Sequence, residues 1–274
     1  MKHLLKLPLC ALAFAMTANT GFAQSSATGV KDASIGVAVN MQNITNPEQI
    51  AIIKKDFNSI TAENDMKPQP TEPAYGQFNW ENADKIANFC RSNGIKLRGH
   101  CLMWHAQIGK WMYQDEKGNL VSKEKLFQNM KHHITAIMER YKDVVYAWDV
   151  VNEAISDGGR PVMGQKPSPY RNSPLYQIAG DEFIKKAFIY AREADPNVLL
   201  FYNDYNAADP QKRDRIYNMV KSMKEEGVPI DGIGMQGHYN IYGPSMEDVD
   251  AALTKYSTIV KHIHITELDI RANE

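Results

Sequence analysis

The feature that most constrains the fold is an alternation of short apolar runs with longer segments of helical periodicity. Strands that alternate with helices predict parallel strands joined by crossover helices, and therefore an α/β fold. The intervening segments begin at typical helix-capping residues, among them Asn46, Ser122, Asp209 and Ser245. Seven strands are predicted, over residues 35–39, 59–62, 96–103, 145–151, 198–202, 232–235 and 262–268.

The polar residues favour a barrel over an open sheet. No GxGxxG motif follows the first predicted strand and no GxxxxGK[ST] motif is present, which argues against the common nucleotide-binding open sheets. Polar side chains instead gather where the predicted strands end, and in a barrel all these ends meet on one functional face. They include Glu63 and Asn64, His100 and Trp104, Asn152 and Glu153, Asn203 and Asp204, Gln236 and His238, and Glu267 and Asp269. We therefore predict a TIM (β/α)8 barrel.

The number of strands predicts an incomplete barrel. Seven strands are counted, whereas a closed barrel of this type has eight. We expect a barrel truncated after the seventh strand, lacking the eighth strand and helix, and a sequence that is a fragment of a longer chain. Open edges would leave apolar residues of the first and seventh strands, among them Val37, Val39 and Ile265, without neighbours.

Residues 1–23 have the pattern of an export signal: a basic start, an apolar run over 7–16, and Gly21 and Ala23 before a cleavage point. The run is too short to span a bilayer, and Cys10 falls too early for a lipoprotein signal. We predict a cleaved signal peptide over 1–23, a flexible lead-in over 24–34 and one barrel domain over 35–274. The protein is expected to be secreted, into the periplasm or outside the cell.

The charge balance argues against nucleic-acid and membrane partners, and the number of cysteines argues against a disulfide-stabilised fold. With 31 Lys+Arg against 32 Asp+Glu, the net charge is −1, so nothing favours nucleic acid as a partner, or a membrane after signal cleavage. Cys90 and Cys101 remain after cleavage. Two cysteines in a chain of this length predict buried thiols and not a disulfide framework.

Two glutamates stand at equivalent places. Glu153 ends the fourth predicted strand and Glu267 the seventh, each after apolar residues where an unpaired carboxylate is costly. Hydrolysis of a glycosidic bond needs two such carboxyl groups: one protonates the leaving oxygen, while the other attacks the anomeric carbon or activates water. For either glutamate alone, a side chain that merely reaches solvent or a lysine is an equal alternative.

Five segments resemble glycoside hydrolase family 10, the endo-β-1,4-xylanases, within the clan of retaining barrel glycosidases. They read ENDMKP over 63–68, RGHCLMWH over 98–105, WDVVNEA over 148–154, GMQGHY over 234–239 and ITELDIR over 265–271. The segments occur in family order, and the resemblance covers residues 35–274. It implies a barrel that hydrolyses internal β-1,4-xylosidic bonds of xylan by a retaining double displacement.

The resemblance also implies residue roles. Glu267 is similar to the nucleophile and Glu153 to the acid/base. Four residues resemble groups that support the nucleophile or the sugar bound there, with Asp269 orienting His238: Asn152, Gln236, His238 and Asp269. Seven resemble sugar contacts, of which the last lies on the leaving-group side: Glu63, Asn64, Lys67, His100, Trp104, Gln107 and Tyr205. Two alternatives remain, a surface ion pair between Lys67 and Glu63, and a Tyr205 that only packs.

No cofactor and no metal are predicted, because His105, His132 and His133 lack a second group of ligands at matching spacing. The expected partner is xylan or xylo-oligosaccharides, and the complete protein is expected to be a monomer. Two other functions stay open. One is another retaining barrel glycosidase, such as a cellulase or mannanase, and the other is a non-catalytic, xylan-binding truncated barrel.

Overall fold

The computed structural model describes residues 34–158 and 168–272. The predicted signal peptide and almost all of the lead-in lie outside these ranges. Nine strands are present in the described residues: β1 (Gly36–Val39), β2 (Ser59–Ala62), β3 (Lys96–Trp104), β4 (Val145–Asn152), β5 (Leu199–Asp204), β6 (Gly232–Met235), β7 (His238–Asn240), β8 (His262–Ile265) and β9 (Asp269–Arg271).

Seven of these strands form one parallel sheet in the order β1-β2-β3-β4-β5-β6-β8. Each of these seven strands pairs with the next of the seven along the chain, which is the strand order of a (β/α)8 barrel. All seven predicted strands are confirmed, although β8 is shorter than expected and ends before Glu267. Strands β7 and β9 pair separately and were not predicted.

Helices occupy the segments between the strands: α1 (Pro47–Asp56), α2 (Pro68–Thr71), α3 (Glu81–Asn93), α4 (Lys123–Tyr141), α5 (Pro174–Ala179), α6 (Glu182–Ala194), α7 (Pro210–Glu225) and α8 (Met246–Ser257). The four predicted caps are confirmed. The side chains of Asn46, Ser122, Asp209 and Ser245 each accept a backbone N–H of the first helical turn. None of the helices in the described part has the length and apolar character needed to cross a membrane.

The core lies between the sheet and its helices, and Trp148 of β4 is its largest fully buried side chain. Within the described ranges β1 and β8 are the two edges of the sheet. Ile265, the last residue of the edge strand β8, is 43% exposed, as expected for an edge residue. Val39 is fully buried and joins the same cluster as Ile60 of the adjoining β2, so the expectation that it lacks neighbours is wrong.

Both cysteines are free and buried, which confirms the prediction of buried thiols. Burial raises the pKa of Cys90 to about 12, against a weaker opposite effect of Arg91. Burial also raises the pKa of Cys101, on β3. Both side chains are therefore protonated thiols that pack as small apolar groups.

Candidate active site

The two glutamates lie at the carboxyl ends of β4 and β8, with β5 and β6 between them. Each is held by the backbone of the strand beside it. The N–H of Glu153 donates to the carbonyl oxygen of Asn203 at 2.9 Å, and the N–H of Glu267 donates to that of Gln236 at 2.8 Å. Strand pairing therefore brings to one face two residues that are far apart in the chain.

The Glu153 carboxylate accepts three hydrogen bonds. Trp104 donates its indole N–H to Oε2 at 2.9 Å, and Gln236 donates to Oε1 at 3.0 Å. Asn152 also donates to Oε1, at 3.2 Å. The backbone of Glu153 has φ of +57°, a left-handed conformation that is uncommon for a residue with a side chain. The carboxylate is thus oriented both by its backbone and by side chains from three strand ends.

The Glu267 carboxylate has two partners. Asn203 donates to its Oε1 at 2.8 Å, and Nε2 of His238 lies 3.3 Å from its Oε2. The other ring nitrogen of His238, Nδ1, lies 2.7 Å from Oδ2 of Asp269, which faces His238 across the β7–β9 pair. Because a neutral imidazole carries one N–H, His238 donates to both carboxylates only in its protonated form.

Asn152 joins the two glutamates. Its Oδ1 accepts from Asn203 at 2.9 Å and from Gln236 at 3.2 Å. Asn203 in turn donates to Glu267, and Gln236 donates to Glu153. One amide oxygen therefore links two hydrogen-bond networks, each of which ends on one carboxylate.

The position of Gln236 corrects one expectation. Its side chain was expected beside Glu267, but it donates to Glu153 and Asn152, and only its backbone oxygen reaches Glu267. Asn152 likewise contacts Glu153 directly and reaches Glu267 only through Asn203. The reason is that Asn203, on the intervening strand β5, already donates to the near oxygen of Glu267.

Asn203 was not identified as a site residue from the sequence. It is fully buried, and its own oxygen accepts from the hydroxyl of Thr266 at 2.7 Å. Its position among the polar residues at strand ends was the only available signal, and that signal was shared by a dozen residues. Gly234 leaves room for it, because a Cβ there would lie 2.3 Å from Oδ1 of Asn203.

Four of the predicted sugar contacts lie together. Lys67 donates to Oδ1 of Asn64 at 2.8 Å, and Gln107 donates to the same oxygen at 3.5 Å. The ammonium of Lys67 lies 4.8 Å from the ring centroid of Trp104. Lys67 thus pairs with Asn64, while Glu63 is exposed and accepts from Asn40 at 3.3 Å. Through Trp104 this group is joined to Glu153.

His100 belongs to a buried charge network inside the sheet. Its Nδ1 lies 2.9 Å from Oδ2 of Asp149, and Arg98 binds both oxygens of the same carboxylate. Burial acts to raise the pKa of Asp149, but the charge of Arg98 and the hydrogen bonds from His100 and Arg98 hold it below its ordinary value. Asp149 is therefore an anion that fixes the orientation of the His100 ring.

Tyr205 is held by the protein itself. Its hydroxyl donates to Asp157 and accepts from Arg171 at 2.6 Å. The ammonium of Lys212 lies 3.4 Å from the centroid of its ring. These contacts are those expected of a packing role, while a sugar contact through the ring stays a prediction.

Two of the three histidines considered as metal ligands are bonded to one carboxylate. His132 and His133 on α4 both bond to the carboxylate of Glu72, at 3.1 and 2.8 Å. Across residues 34–158 and 168–272 no cluster of three or more histidine, cysteine or acidic side chains is placed to hold a metal ion.

Residues 24–274 match the profile of Glycosyl hydrolase family 10. The chain belongs to glycoside hydrolase family 10. It is 55% identical over 287 aligned residues to an endo-1,4-beta-xylanase/feruloyl esterase of Xylanibacter ruminicola, covering 100% of this chain and 39% of that protein. It is 43% identical over 245 residues to endo-1,4-beta-xylanase B of Paenibacillus barcinonensis, covering 89% of this chain and 71% of the relative.

Solved structures agree with the family fold. The chain superposes with a TM-score of 0.85 on a psychrophilic glycoside hydrolase family 10 endo-beta-1,4-xylanase, at 69% sequence identity. The match covers 88% of this chain and 73% of that one. The predicted family and TIM-barrel fold are therefore confirmed, and this family 10 chain spans about two fifths to three quarters of the length of these relatives.

Proposed function

We propose that the protein is an endo-β-1,4-xylanase that hydrolyses internal β-1,4-xylosidic bonds with retention of anomeric configuration. Glu267 is the nucleophile and Glu153 is the acid/base. The observation that carries the proposal is the pair of glutamates at the carboxyl ends of β4 and β8, each in its own hydrogen-bond network, with the networks joined at Asn152. The names of the relatives, endo-1,4-beta-xylanases, support the choice of substrate.

In the first step Glu267 attacks the anomeric carbon while Glu153 gives its proton to the leaving glycosidic oxygen. Asn203 and His238 hold the orientation of the Glu267 carboxylate by contacting one oxygen each. In the second step Glu153 takes a proton from water, and that water displaces the glycosyl group from Glu267. Both glutamates then return to their starting protonation states.

We propose that the sugar on the glycone side binds to the cluster of Asn64, Lys67, Trp104 and Gln107. Amide and ammonium groups bind sugar hydroxyls, and an indole ring covers the apolar face of a pyranose. Because Trp104 also donates a hydrogen bond to Glu153, a sugar bound in this cluster lies next to the acid/base. The neutral charge balance of the chain suits a neutral polysaccharide.

The proposal is tested by following hydrolysis of xylan, cellulose and mannan by reducing-sugar release, and the first-formed product by proton NMR. Release from xylan alone, with the β-anomer appearing first, is the expected result. An α-anomer appearing first means inversion and contradicts the mechanism. Release from cellulose or mannan in preference to xylan contradicts the substrate.

We also propose export, on the pattern of residues 1–23. Expression in a bacterial host followed by N-terminal sequencing of exported protein is expected to give a chain that starts at Gln24. Retention in the cytoplasm with an intact Met1 contradicts it. For the complete protein we propose a monomer, which light scattering tests directly.

A further inference from the structure

Lys212 lies in the first turn of α7, where a cation is unfavourable because the helix dipole places positive charge at that end. Its side chain is 2% exposed, so the charge is also almost completely removed from water. Burial of an ammonium group is costly unless it is paired, and an apolar side chain of similar volume would often be at least as stable. Stability therefore gives little reason for a lysine here.

The ammonium of Lys212 bridges two carboxylates. It lies 2.7 Å from Oδ1 of Asp157 and 2.9 Å from Oδ1 of Asp204. Asp204 is the last residue of β5 and is fully buried. Asp157 lies four residues after Glu153, in the segment that leaves the active site. Lys212 thus ties that segment to the end of β5.

Hydrogen bonds connect each of the two carboxylates to the segment that contains Glu153. The hydroxyl of Tyr202 donates to Asp204 at 2.5 Å and accepts the backbone N–H of Ile155 at 3.0 Å. On the other side, Asp157 accepts from the hydroxyl of Tyr205, which accepts from Arg171. Arg171 in turn donates to the backbone oxygen of Glu153 at 2.9 Å.

Glu153 needs such support. Its φ of +57° is a conformation that persists in a residue with a side chain only when the surroundings determine it. On one side the segment pairs with residues 169–171, through the bond from Ser156 N–H to the oxygen of Pro169 and the bridge between Ile155 and Tyr170. On the other side Arg215 of α7 donates to the backbone oxygen of Ser156 at 3.0 Å, and the network centred on Lys212 adds further support.

We propose that Lys212 is a positioning residue for Glu153, acting through Asp157 and through Asp204 and Tyr202 on the segment 153–157. The proposal rests on the role of Glu153 as acid/base. Lys212 itself touches neither the substrate nor the reacting atoms, and its effect is to keep the Glu153 carboxyl in line with the leaving oxygen. An acid that is displaced by a fraction of an ångström loses part of its contribution to the rate.

The test compares Lys212→Met with Lys221→Met, which changes an exposed lysine of the same helix. Two substrates are used, xylohexaose, whose leaving group needs a proton, and dinitrophenyl β-xylobioside, whose leaving group does not. In Lys212→Met we expect kcat/KM to fall roughly 10- to 100-fold on xylohexaose and less than about threefold on the aryl substrate. Lys221→Met is expected to match the wild type on both.

Lys212→Arg keeps the charge and is expected to restore most of the xylohexaose activity. If Lys212→Met does not fold, Asp157→Asn removes one end of the bridge at a side chain that is 43% exposed. Its kcat/KM is also expected to fall more on xylohexaose than on the aryl substrate, but by a smaller factor than in Lys212→Met. An equal loss on both substrates, or no loss on either, overturns the proposal.

Amide hydrogen exchange provides a readout that does not need activity. The peptide that contains Ile155 is expected to exchange faster in Lys212→Met, or in Asp157→Asn, than in Lys221→Met. Unchanged exchange overturns the positioning role. If the wild-type chain cleaves neither substrate, the proposed function fails, while the exchange result still decides whether Lys212 holds the segment.

Discussion

The side-chain amide of Asn203 donates a hydrogen bond to Oε1 of Glu267 at 2.8 Å, from the end of β5 to the turn after β8. The same nitrogen donates to Asn152 at 2.9 Å, and the oxygen of Asn203 accepts from Thr266. The amide is fully buried, so its orientation is determined by these three contacts. Asn203 therefore orients the proposed nucleophile and connects it to Asn152.

We expect Asn203→Ala to lower kcat/KM on dinitrophenyl β-xylobioside roughly 10²- to 10³-fold, because removal of one preorganised hydrogen-bond donor at a reacting group commonly has an effect of this size. This substrate isolates the attack of Glu267, since its leaving group needs no proton. Stopped-flow release of dinitrophenol measures the rate. Asn218→Ala, on the exposed face of α7, is the control. A variant with wild-type rate on this substrate would show that the contact has no part in attack.

Glu153→Ala and Glu267→Ala are expected to block different steps of the reaction. Glu153→Ala should still form a glycosyl-enzyme with the aryl substrate, which then accumulates because the base for the second step is missing. Turnover of xylohexaose should fall about 10²- to 10⁴-fold. Intact-protein mass spectrometry detects the intermediate, which Glu267→Ala should never form.

Added azide distinguishes the roles. It should restore turnover of the aryl substrate in Glu153→Ala and give the β-azide, because azide displaces the sugar from Glu267. In Glu267→Ala it should give the α-azide, because azide replaces the nucleophile itself. Proton NMR identifies the product. A β-azide from Glu267→Ala would mean that the roles are reversed.

Gly99 is required by a close approach inside the sheet. It lies opposite Trp148 in the β3–β4 register, and a Cβ on it would lie 2.2 Å from the indole. We expect Gly99→Ala to destabilise the protein by about 3 kcal/mol, the upper part of the usual range for overpacking. For Gly36→Ala, whose Cβ would meet Ser59 at an ordinary 3.4 Å, we expect a change below about 1 kcal/mol. Urea denaturation measures both, and equal midpoints would contradict this account.

His264 is expected to make stability depend on pH. Burial, and next the charge of Arg98, lower its pKa to about 4. The unfolded chain titrates near 6.5 and so binds more protons between pH ~4 and ~6.5. The contribution is thus fully present above pH ~6.5 and is lost as the pH falls toward 4. Because the ring is partly exposed, we expect an effect on the order of 2 kcal/mol.

His264→Phe removes the titration and keeps an aromatic ring against Phe201, on which His264 stacks at 4.3 Å. The measurement is the free energy of unfolding in urea at pH 4.5 and pH 7.5. The loss between the two values should be smaller in His264→Phe than in the wild type. The same loss in both proteins would mean that acid acts elsewhere.

Much of the fold could be predicted because its signals are local. Helix caps such as Asn46 and Asp209 use side chains that bond to the next two or three residues, so the sequence pattern and the structure coincide. The β7–β9 pair could not be predicted, because each strand has three residues and pairs with a partner about thirty positions away. Such short strands carry too little periodicity to be recognised.

The candidate site shows the same division. Glu153 and Glu267 became candidates because each follows an apolar strand, where an unpaired carboxylate is costly, and the resemblance of their segments to glycoside hydrolase family 10 implied their roles. The amides around them were not assigned correctly, since Asn203 and Gln236 are both polar residues at strand ends. Which of the two donates to which glutamate depends on partners 64 and 83 positions away, respectively.

The sequence by itself determined the order of strands and helices, the face on which the polar residues meet, the two glutamates and the membership of glycoside hydrolase family 10. Only the tertiary structure decided that Gln236 donates a hydrogen bond to Glu153 and that Asn203 donates one to Glu267. It also decided that Lys212 lies buried between Asp157 and Asp204. The physical reason is that strand positions follow from repeating local patterns, whereas a hydrogen bond or a buried ion pair requires distances of about 3 Å and a particular direction. Those are set when the strands and the helices that cover them pack together.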